Sequence, residues 1–335
     1  MNVLIIGLGS IGQRHLKNLQ SIRLVKKIYI YRKKFQTPTL INYSTPSKKK
    51  IDEIYDVTYI KNLKNLSKYN IHVAFICSPT SLHTSQAIEL IKNKINVFVE
   101  KPINNNLKNI NKLYRLISKN RNVKHMIGYQ LKFNPLIKKL KSIINRKNIG
   151  KIYHVQIHHG EHINDFHPYE DYKISYAARK KLGGGVVLTQ SHEIDYLMYL
   201  FDNYNFKKKY SLNTKQSNLK LDVEDNSLSI VEMSKKKQSI TCSIYLNYFE
   251  RPRSRSIKII GEKISISANF INNTIEINKK KKKKILRFFF DKNLIFKKEI
   301  YYFLKAVQNN NKIDKKLDLF WGIKVLKNCL NILKN

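Results

Sequence analysis

Two groups of residues could do chemistry on their types and spacing alone. The first is Gly7-Leu8-Gly9-Ser10-Ile11-Gly12, a G-x-G-x-x-G between the apolar run Val3–Ile6 and a helical pattern that starts near Ile11. In such a loop Gly7 permits a tight turn, Gly9 lets a pyrophosphate approach the backbone, and Gly12 lets the helix pack on the strand. Ser10 and Ile11 would then offer unpaired N–H groups and the positive end of a helix dipole to phosphates. The second group is His158-His159-Gly160-Glu161-His162, whose HxxEH spacing would hold zinc if it lay on a helix. It follows an alternating strand and includes a glycine, so no metal is expected there.

The end of the second strand decides between cofactors. An acidic residue about 20 positions past the glycines would bind the ribose 2′-hydroxyl of NAD. The chain has Tyr31-Arg32-Lys33-Lys34 instead. The planar fork of Arg32 suits a 2′-phosphate, so the cofactor is expected to be NADP or NAD, with NADP preferred.

The elements that must position these groups follow from periodicity. Val3–Ile6, Lys27–Tyr31, His72–Cys77 and Asn96–Val99 are short apolar runs, as in strands buried on both faces. Ser81–Lys92 between the last two places Leu82, Ala87, Ile88 and Ile91 at helical spacing. This β-α-β alternation predicts an α/β Rossmann domain, a doubly wound parallel sheet, over residues 1–125. From about Lys151 the segments Tyr153–Ile157, Ser239–Leu246, Ser256–Ile260 and Ile264–Phe270 alternate apolar with polar residues. Residues 126–335 are therefore expected to form an α+β second domain with a mainly antiparallel sheet. One long helix, Gly185–Phe201, should interrupt that sheet. A last helix carrying Leu319, Trp321, Val325, Leu326, Cys329 and Leu330 should close the chain and could pack back on the first domain.

Composition excludes several classes. The 335 residues are 42% hydrophobic and 11% aromatic, ordinary for a folded protein. No apolar run approaches the roughly 20 residues that span a bilayer, and the first residues read as a strand rather than a signal peptide. Cys77, Cys242 and Cys329 are far apart and odd in number, against a disulfide framework. A cytoplasmic location is expected. The formal charge of +41 would suit a polyanion binder, but the lysines are spread along the chain with an excess of Asn and Ile, as A/T-rich codons would produce. No specific nucleic-acid partner is expected. The run Lys279 to Lys284 reads as a turn between apolar strands Phe270–Ile277 and Ile285–Phe290.

A resemblance adds to this reading. Cys77-Ser78-Pro79-Thr80, His83, Glu100-Lys101-Pro102, Gly128-Tyr129-Gln130, Phe133-Asn134-Pro135, Gly183-Gly184-Gly185 and Ser191-His192-Glu193-Ile194-Asp195 occur in the order and spacing of the glucose–fructose oxidoreductase / inositol dehydrogenase / MocA family. The chain resembles that family over most of its length. The resemblance implies that Ser78, Pro79, Thr80 and His83 line the cofactor, that Glu100, Lys101 and Pro102 sit beside the nicotinamide, and that Gln130 belongs to the same site. It implies Lys101 as the proton-relay lysine, His192 as the catalytic histidine, a substrate and oligomerisation domain over residues 126–335 with a large, mainly antiparallel open sheet, and a homodimer or homotetramer.

The implied chemistry is coherent. A lysine beside an oxidised nicotinamide and partly desolvated has its pKa pushed towards neutrality and can act as acid or base. His192 could share that proton. On one helix Thr189, His192 and Asp195 would share a face, with Asp195 orienting the imidazole. Many family members carry an aspartate one turn before the histidine. This chain has Thr189, which can orient a hydroxyl but cannot titrate near neutrality, in a segment one residue shorter. The stretch from Pro168 to Arg179 resembles the substrate loop of members associated with surface-sugar biosynthesis; Tyr172, Ser175, Tyr176 and Arg179 offer hydroxyls and a fork for an acidic or nucleotide-linked sugar. The leading expectation is an NAD(P)-dependent oxidoreductase acting on a carbohydrate hydroxyl or ketone. The alternatives are a lyase or epimerase with transient hydride transfer, and a non-catalytic cofactor-binding scaffold or sensor.

Overall fold

The computed structural model describes residues 1–33, 37–41, 45–146 and 149–334; Lys34, in the basic stretch after the second strand, lies outside them. The first sheet is wholly parallel. Its strands are β1 (Asn2–Ile6), β2 (Lys27–Tyr31), β5 (Thr58–Tyr59), β6 (Val73–Ile76), β7 (Asn96–Glu100) and β8 (His125–Gly128), in the order β5-β2-β1-β6-β7-β8. β3 (Thr39–Ile41) and β4 (Thr45–Ser47) form a small separate pair. Helices α1 (Ser10–Gln20), α2 (Ile51–Ile54), α3 (His83–Lys92) and α4 (Ile110–Lys119) connect the strands. The order reverses between β1 and β6, so the loops leaving these two strands flank the crevice where such sheets bind ligands.

Alternation along β1 explains why every residue of it after Asn2 is apolar. Leu4 and Ile6 face one buried cluster, Val3 and Ile5 another on the opposite side of the sheet. The second cluster takes Leu16 and Leu19 from α1, and also Ile300, Phe303 and Leu304 from the distant helix α8 (Lys292–Gln308).

The second sheet has eight strands: β9 (Ile152–Gly160), β10 (Asn205–Thr214), β11 (Asn226–Lys235), β12 (Gln238–Asn247), β13 (Ser254–Gly261), β14 (Ser265–Asn269), β15 (Thr274–Lys279) and β16 (Lys282–Arg287). Their order is β10-β11-β12-β9-β13-β14-β15-β16, antiparallel except for the parallel β9–β12 pair. Helices α5 (Pro135–Asn145), α6 (Val186–Thr189), α7 (His192–Leu200) and α9 (Leu319–Leu333) lie between this sheet and the first domain. α5 starts cleanly because the Asn134 side chain accepts from the Leu136 N–H and Pro135 occupies the first helical position.

Three sequence expectations change. The single helix over Gly185–Phe201 is two, α6 and α7, broken at Gln190-Ser191; hydrophobic period alone could not show the break. The lysine run is not all turn: Lys279 pairs with Lys282 and Asn278 with Lys283 in the ladder, leaving Lys280 and Lys281 at the tip. The return to the first domain involves α8 as well as α9. Asn18 and Asn293 exchange side-chain hydrogen bonds of 3.1 and 2.7 Å between α1 and α8, and Gly322 of α9 lets that helix approach Ile127 of β8. Among the described residues no helix is long and apolar enough to cross a membrane.

Candidate active site

The glycine loop is shaped by steric demand. Gly7 has φ +92°, and a Cβ there would lie 2.7 Å from the Cys77 carbonyl oxygen; one on Gly12 would lie 2.1 Å from that of Gly7. A Cβ on Gly9 would meet nothing within 4 Å. The loop therefore packs tightly on the β6 side and leaves room at its outer turn, the cradle that a pyrophosphate requires. α1 has no side-chain cap and no acidic residue in its first turn, so Ser10 and Ile11 present their N–H groups without an internal competitor.

At the end of β2, Arg32 donates to the Thr37 carbonyl at 2.7 Å and lies near the Tyr59 phenol. Burial lowers its pKa, and the phenol opposes that shift. Arg32 thus also organises the following loop. The loops after β6 and β7 are stitched together by α3. His83 has one ring nitrogen 2.7 Å from the Ser78 carbonyl and the other 2.8 Å from that of Pro102, and Thr84 donates to the Ile103 carbonyl at 2.9 Å. His83 therefore joins the two loops, and both its nitrogens are engaged there. Ser78 donates to Gln86 at 2.6 Å, and Thr80 is buried against Gly183. Pro79 precedes the Thr80–Leu82 turn, Pro102 follows a cis peptide bond, and Gln130 is half-buried just after β8.

Glu100 and Lys101, adjacent at the end of β7, part company. Glu100 turns back towards α1, where His15 Nε2 lies 2.6 Å from its Oε1. Lys101 turns towards the second domain and donates from Nζ to the Thr189 carbonyl at 2.7 Å. The lysine keeps some solvent contact, yet burial lowers its pKa, with Glu100 and Glu193 pulling the other way. His192 is buried, edge-on to Tyr129 with ring centroids 5.5 Å apart. Burial holds its pKa well below the usual value, reinforced by Lys101, Arg255, His159 and Lys132. The imidazole is neutral at pH 7 in this setting.

Asp195 does not orient His192. It accepts from Trp321 Nε1 at 2.7 Å and pairs with Lys132 Nζ at 2.8 Å. Because α7 starts at His192, the two side chains leave the helix towards different neighbours. Burial nevertheless raises the Asp195 pKa. The residue after the histidine, Glu193, carries the charge nearest to it in sequence: Arg255 Nε donates to it at 2.7 Å and His159 Nδ1 lies 3.1 Å away. Burial would raise the pKa of Glu193, but the Arg255 guanidinium and the His159 ring beside it hold it at about 2. The histidine-rich motif is thus divided by the pleat of β9. His159 faces this pocket, whereas His158 pairs with Glu250 at 2.7 Å on the other side. Among the described residues no three His, Cys, Asp or Glu side chains converge for a metal.

The expected substrate loop contributes unevenly. The Tyr172 hydroxyl accepts from the Lys220 N–H at 3.1 Å, and Ser175, buried, accepts from the Ala177 N–H at 3.3 Å; both support the backbone of this stretch. Tyr176 lies within the field of Glu100, its pKa raised to about 12 by burial and by that carboxylate, and the Arg179 side chain is half-buried at the next turn. Gly184 and Gly185 allow close packing here: a Cβ on Gly185, at φ +103°, would strike the Glu224 carboxylate. Glu224 accepts from the Val187 N–H at 3.2 Å, and burial raises its pKa to about 7.

Lys132, Arg255 and His15 carry much of this arrangement and are not marked by any sequence motif, while His159 and Glu193 lie inside motifs that do not show these partners. The buried polar atoms Gln190 Oε1, His192 Nδ1 and Arg255 Nη2 have no hydrogen-bond partner. Such buried, unsatisfied atoms are suited to a polar ligand that would satisfy them.

Comparison with known proteins agrees with this geometry. The oxidoreductase family with an NAD-binding Rossmann fold, GFO/IDH/MocA, matches residues 1–129, and the GFO/IDH/MocA C-terminal domain matches residues 137–267. An oxidoreductase of Bacillus subtilis, YrbE, is 27% identical over 148 residues, 44% of this chain and 40% of its own length. Myo-inositol 2-dehydrogenase of Thermotoga maritima is 26% identical over 156 residues, 45% of this chain and 42% of its own. The chain thus aligns with less than half the length of these two relatives. Solved structures share the whole fold. A levoglucosan dehydrogenase in complex with NADH and levoglucosan superposes with TM-score 0.81 at 15% identity, covering 100% of this chain and 96% of that one. A UDP-N-acetylglucosamine 3-dehydrogenase from Acidithiobacillus ferrooxidans gives 0.72 at 14%, covering 99% and 96%.

Proposed function

Because this chain belongs to the GFO/IDH/MocA family of NAD-binding oxidoreductases, we propose that it transfers hydride between a nicotinamide and a hydroxyl or ketone carbon of a carbohydrate. One observation carries the reading. Lys101, at the end of a strand of the dinucleotide-binding sheet, reaches the carbonyl of Thr189, three residues before His192 of the second domain. The two candidate proton carriers thereby come close enough for Lys101 to act electrostatically on His192. The nicotinamide, when bound, supplies the hydride acceptor or donor. Lys101, its pKa lowered, takes the hydroxyl proton or returns it. His192, neutral, positions the same oxygen and passes the proton on. Thr189 contributes through its backbone, fixing the lysine, rather than by titrating.

The electrostatics favour an acidic or nucleotide-linked sugar. Lys101, Arg255, His159 and Lys132 all depress His192, which supports recognition of an anionic group on the substrate. Tyr176 and Arg179 are the members of the expected substrate loop that remain for recognition. UDP-N-acetylglucosamine, acted on by one structural neighbour, exemplifies the nucleotide-linked class. Arg32 favours NADP over NAD. The second sheet leaves Tyr210, Leu212, Leu228 and Tyr153 exposed, which supports self-association into a dimer or tetramer.

The first test is titration with NADPH and NADH near physiological salt, followed by reduced-nicotinamide fluorescence, with Arg32→Ala alongside. Saturable binding that favours NADPH, by a margin lost in Arg32→Ala, is expected. Equal binding of the two would overturn the NADP preference, and absence of binding by folded, cofactor-free protein would overturn the dinucleotide reading. Turnover is then sought with uronic and nucleotide-linked sugars; net NAD(P)H change distinguishes oxidation from transient hydride transfer.

A further inference from the structure

The segment between β9 and α6 touches the first domain at a point remote from Lys101. The Tyr169 hydroxyl lies 3.1 Å from His167 Nδ1, with the rings 5.6 Å apart. The Tyr169 phenol also lies against the Ser10 hydroxyl and within the field of Arg14, and His167 faces Arg14 and Glu161. Ser10 opens α1 and Arg14 lies one turn further on, so both project from one side of the helix that begins in the glycine loop. Arg14 is also held from the far side, its guanidinium 4.6 Å above the ring of Phe296 in α8.

The glycine turn next to these four groups is open: a Cβ on Gly9 would meet nothing within 4 Å. We propose that His167 and Tyr169, set beside Ser10 and Arg14 at the start of α1, complete the dinucleotide site from the second domain and slow cofactor release. The inference rests on the dinucleotide reading of that loop. A diphosphate offers only acceptor oxygens, and the groups assembled here can all donate: the Ser10 and Tyr169 hydroxyls, the Arg14 guanidinium and the free α1 N–H groups. When His167 carries its proton on Nδ1 and donates it to the Tyr169 oxygen, the phenol proton is free for a phosphate oxygen. The pair is therefore suited to a bound diphosphate in a way that a purely apolar strap would not be.

Tyr169→Phe removes one hydroxyl and keeps the ring; His167→Ala removes the partner that orients it. Each variant is expected to weaken NADH and NADPH by about tenfold, mainly through faster dissociation in stopped-flow displacement. ADP-ribose, which keeps the diphosphate and lacks the nicotinamide, should lose as much. Thermal midpoints of the cofactor-free proteins are measured alongside, and Tyr169→Phe should leave its midpoint unchanged. If the wild-type chain binds cofactor and both variants bind it within twofold, the clasp is overturned while the dinucleotide reading stands. NADH weakened with ADP-ribose unaffected would also overturn it, by moving the contact to the nicotinamide end. A wild-type chain that binds none of the three would overturn the dinucleotide reading, and the clasp with it.

Discussion

The two halves of the candidate site are built on different principles. The cofactor half is made of backbone: Gly7, Gly9 and Gly12 are set by positive φ, by open space and by a close approach, and the strands around them are apolar on both faces. The half around His192 is made of buried charge, with Lys132–Asp195–Trp321 on one side of α7 and His159–Glu193–Arg255 on the other. Backbone constraints act between neighbours in sequence. Charge constraints here link residues 62 and 126 positions apart. The first kind of site tolerates no added atom at Gly7 or Gly12; the second tolerates no missing partner.

Substitutions can break or sharpen that contrast. The largest effect is expected from Lys101→Ala: kcat should fall about 10²- to 10⁴-fold while the NADPH dissociation constant stays within twofold. Parallel losses in both would mean that the halves are not separable. Next is Asp195→Asn, which leaves Lys132 as a buried cation without its anion. A loss of about 3–5 kcal/mol in unfolding free energy is expected by denaturant titration, largely recovered when Lys132→Met is added. An additive double variant would show that the pair is not coupled.

The smallest effect concerns Glu224, whose folded pKa is raised by burial to about 7 against an ordinary 4.5. The folded state therefore holds a proton that the unfolded state has lost between those two values, so stability falls as pH rises through that window and is flat above it. Glu224→Gln should remove this slope and raise the unfolding free energy at pH 8 but not at pH 4, by at most about 3 kcal/mol. An equal shift at both pH values would assign the effect to packing against Gly185 instead.

This contrast also explains what could be read from the chain. The glycine loop, the parallel strands and the placement of Lys101 at a strand end are local patterns, and each is recovered in the fold. His192 was legible through its motif. Its surroundings were not, because Lys132 is one lysine in a chain where Lys and Arg number 64, and nothing near it in sequence marks it as buried. Arg255 and His159 meet Glu193 only because β9 and β13 are neighbours in the sheet, with Arg255 opposite His159. Assigning Asp195 to His192 failed for a related reason: helical spacing gives the face a residue occupies, not the partner waiting there. The same limit applied to His83, whose two carbonyl partners lie in loops five and nineteen residues away.

The way α8 completes the first sheet bears on how the chain acquires its structure. Ile300, Phe303 and Leu304 share a buried cluster with Val3, Ile5, Phe75 and Phe98, so one apolar face of the cofactor-binding sheet stays only partly covered, by α1, until about nine-tenths of the polypeptide has left the ribosome. Such long-range closure slows folding and leaves early intermediates sticky. A fragment cut at the end of the first family match would inherit that partly covered face and should aggregate. The domain that binds dinucleotide is thus contiguous in its motifs but finished by a helix synthesised after the entire second sheet.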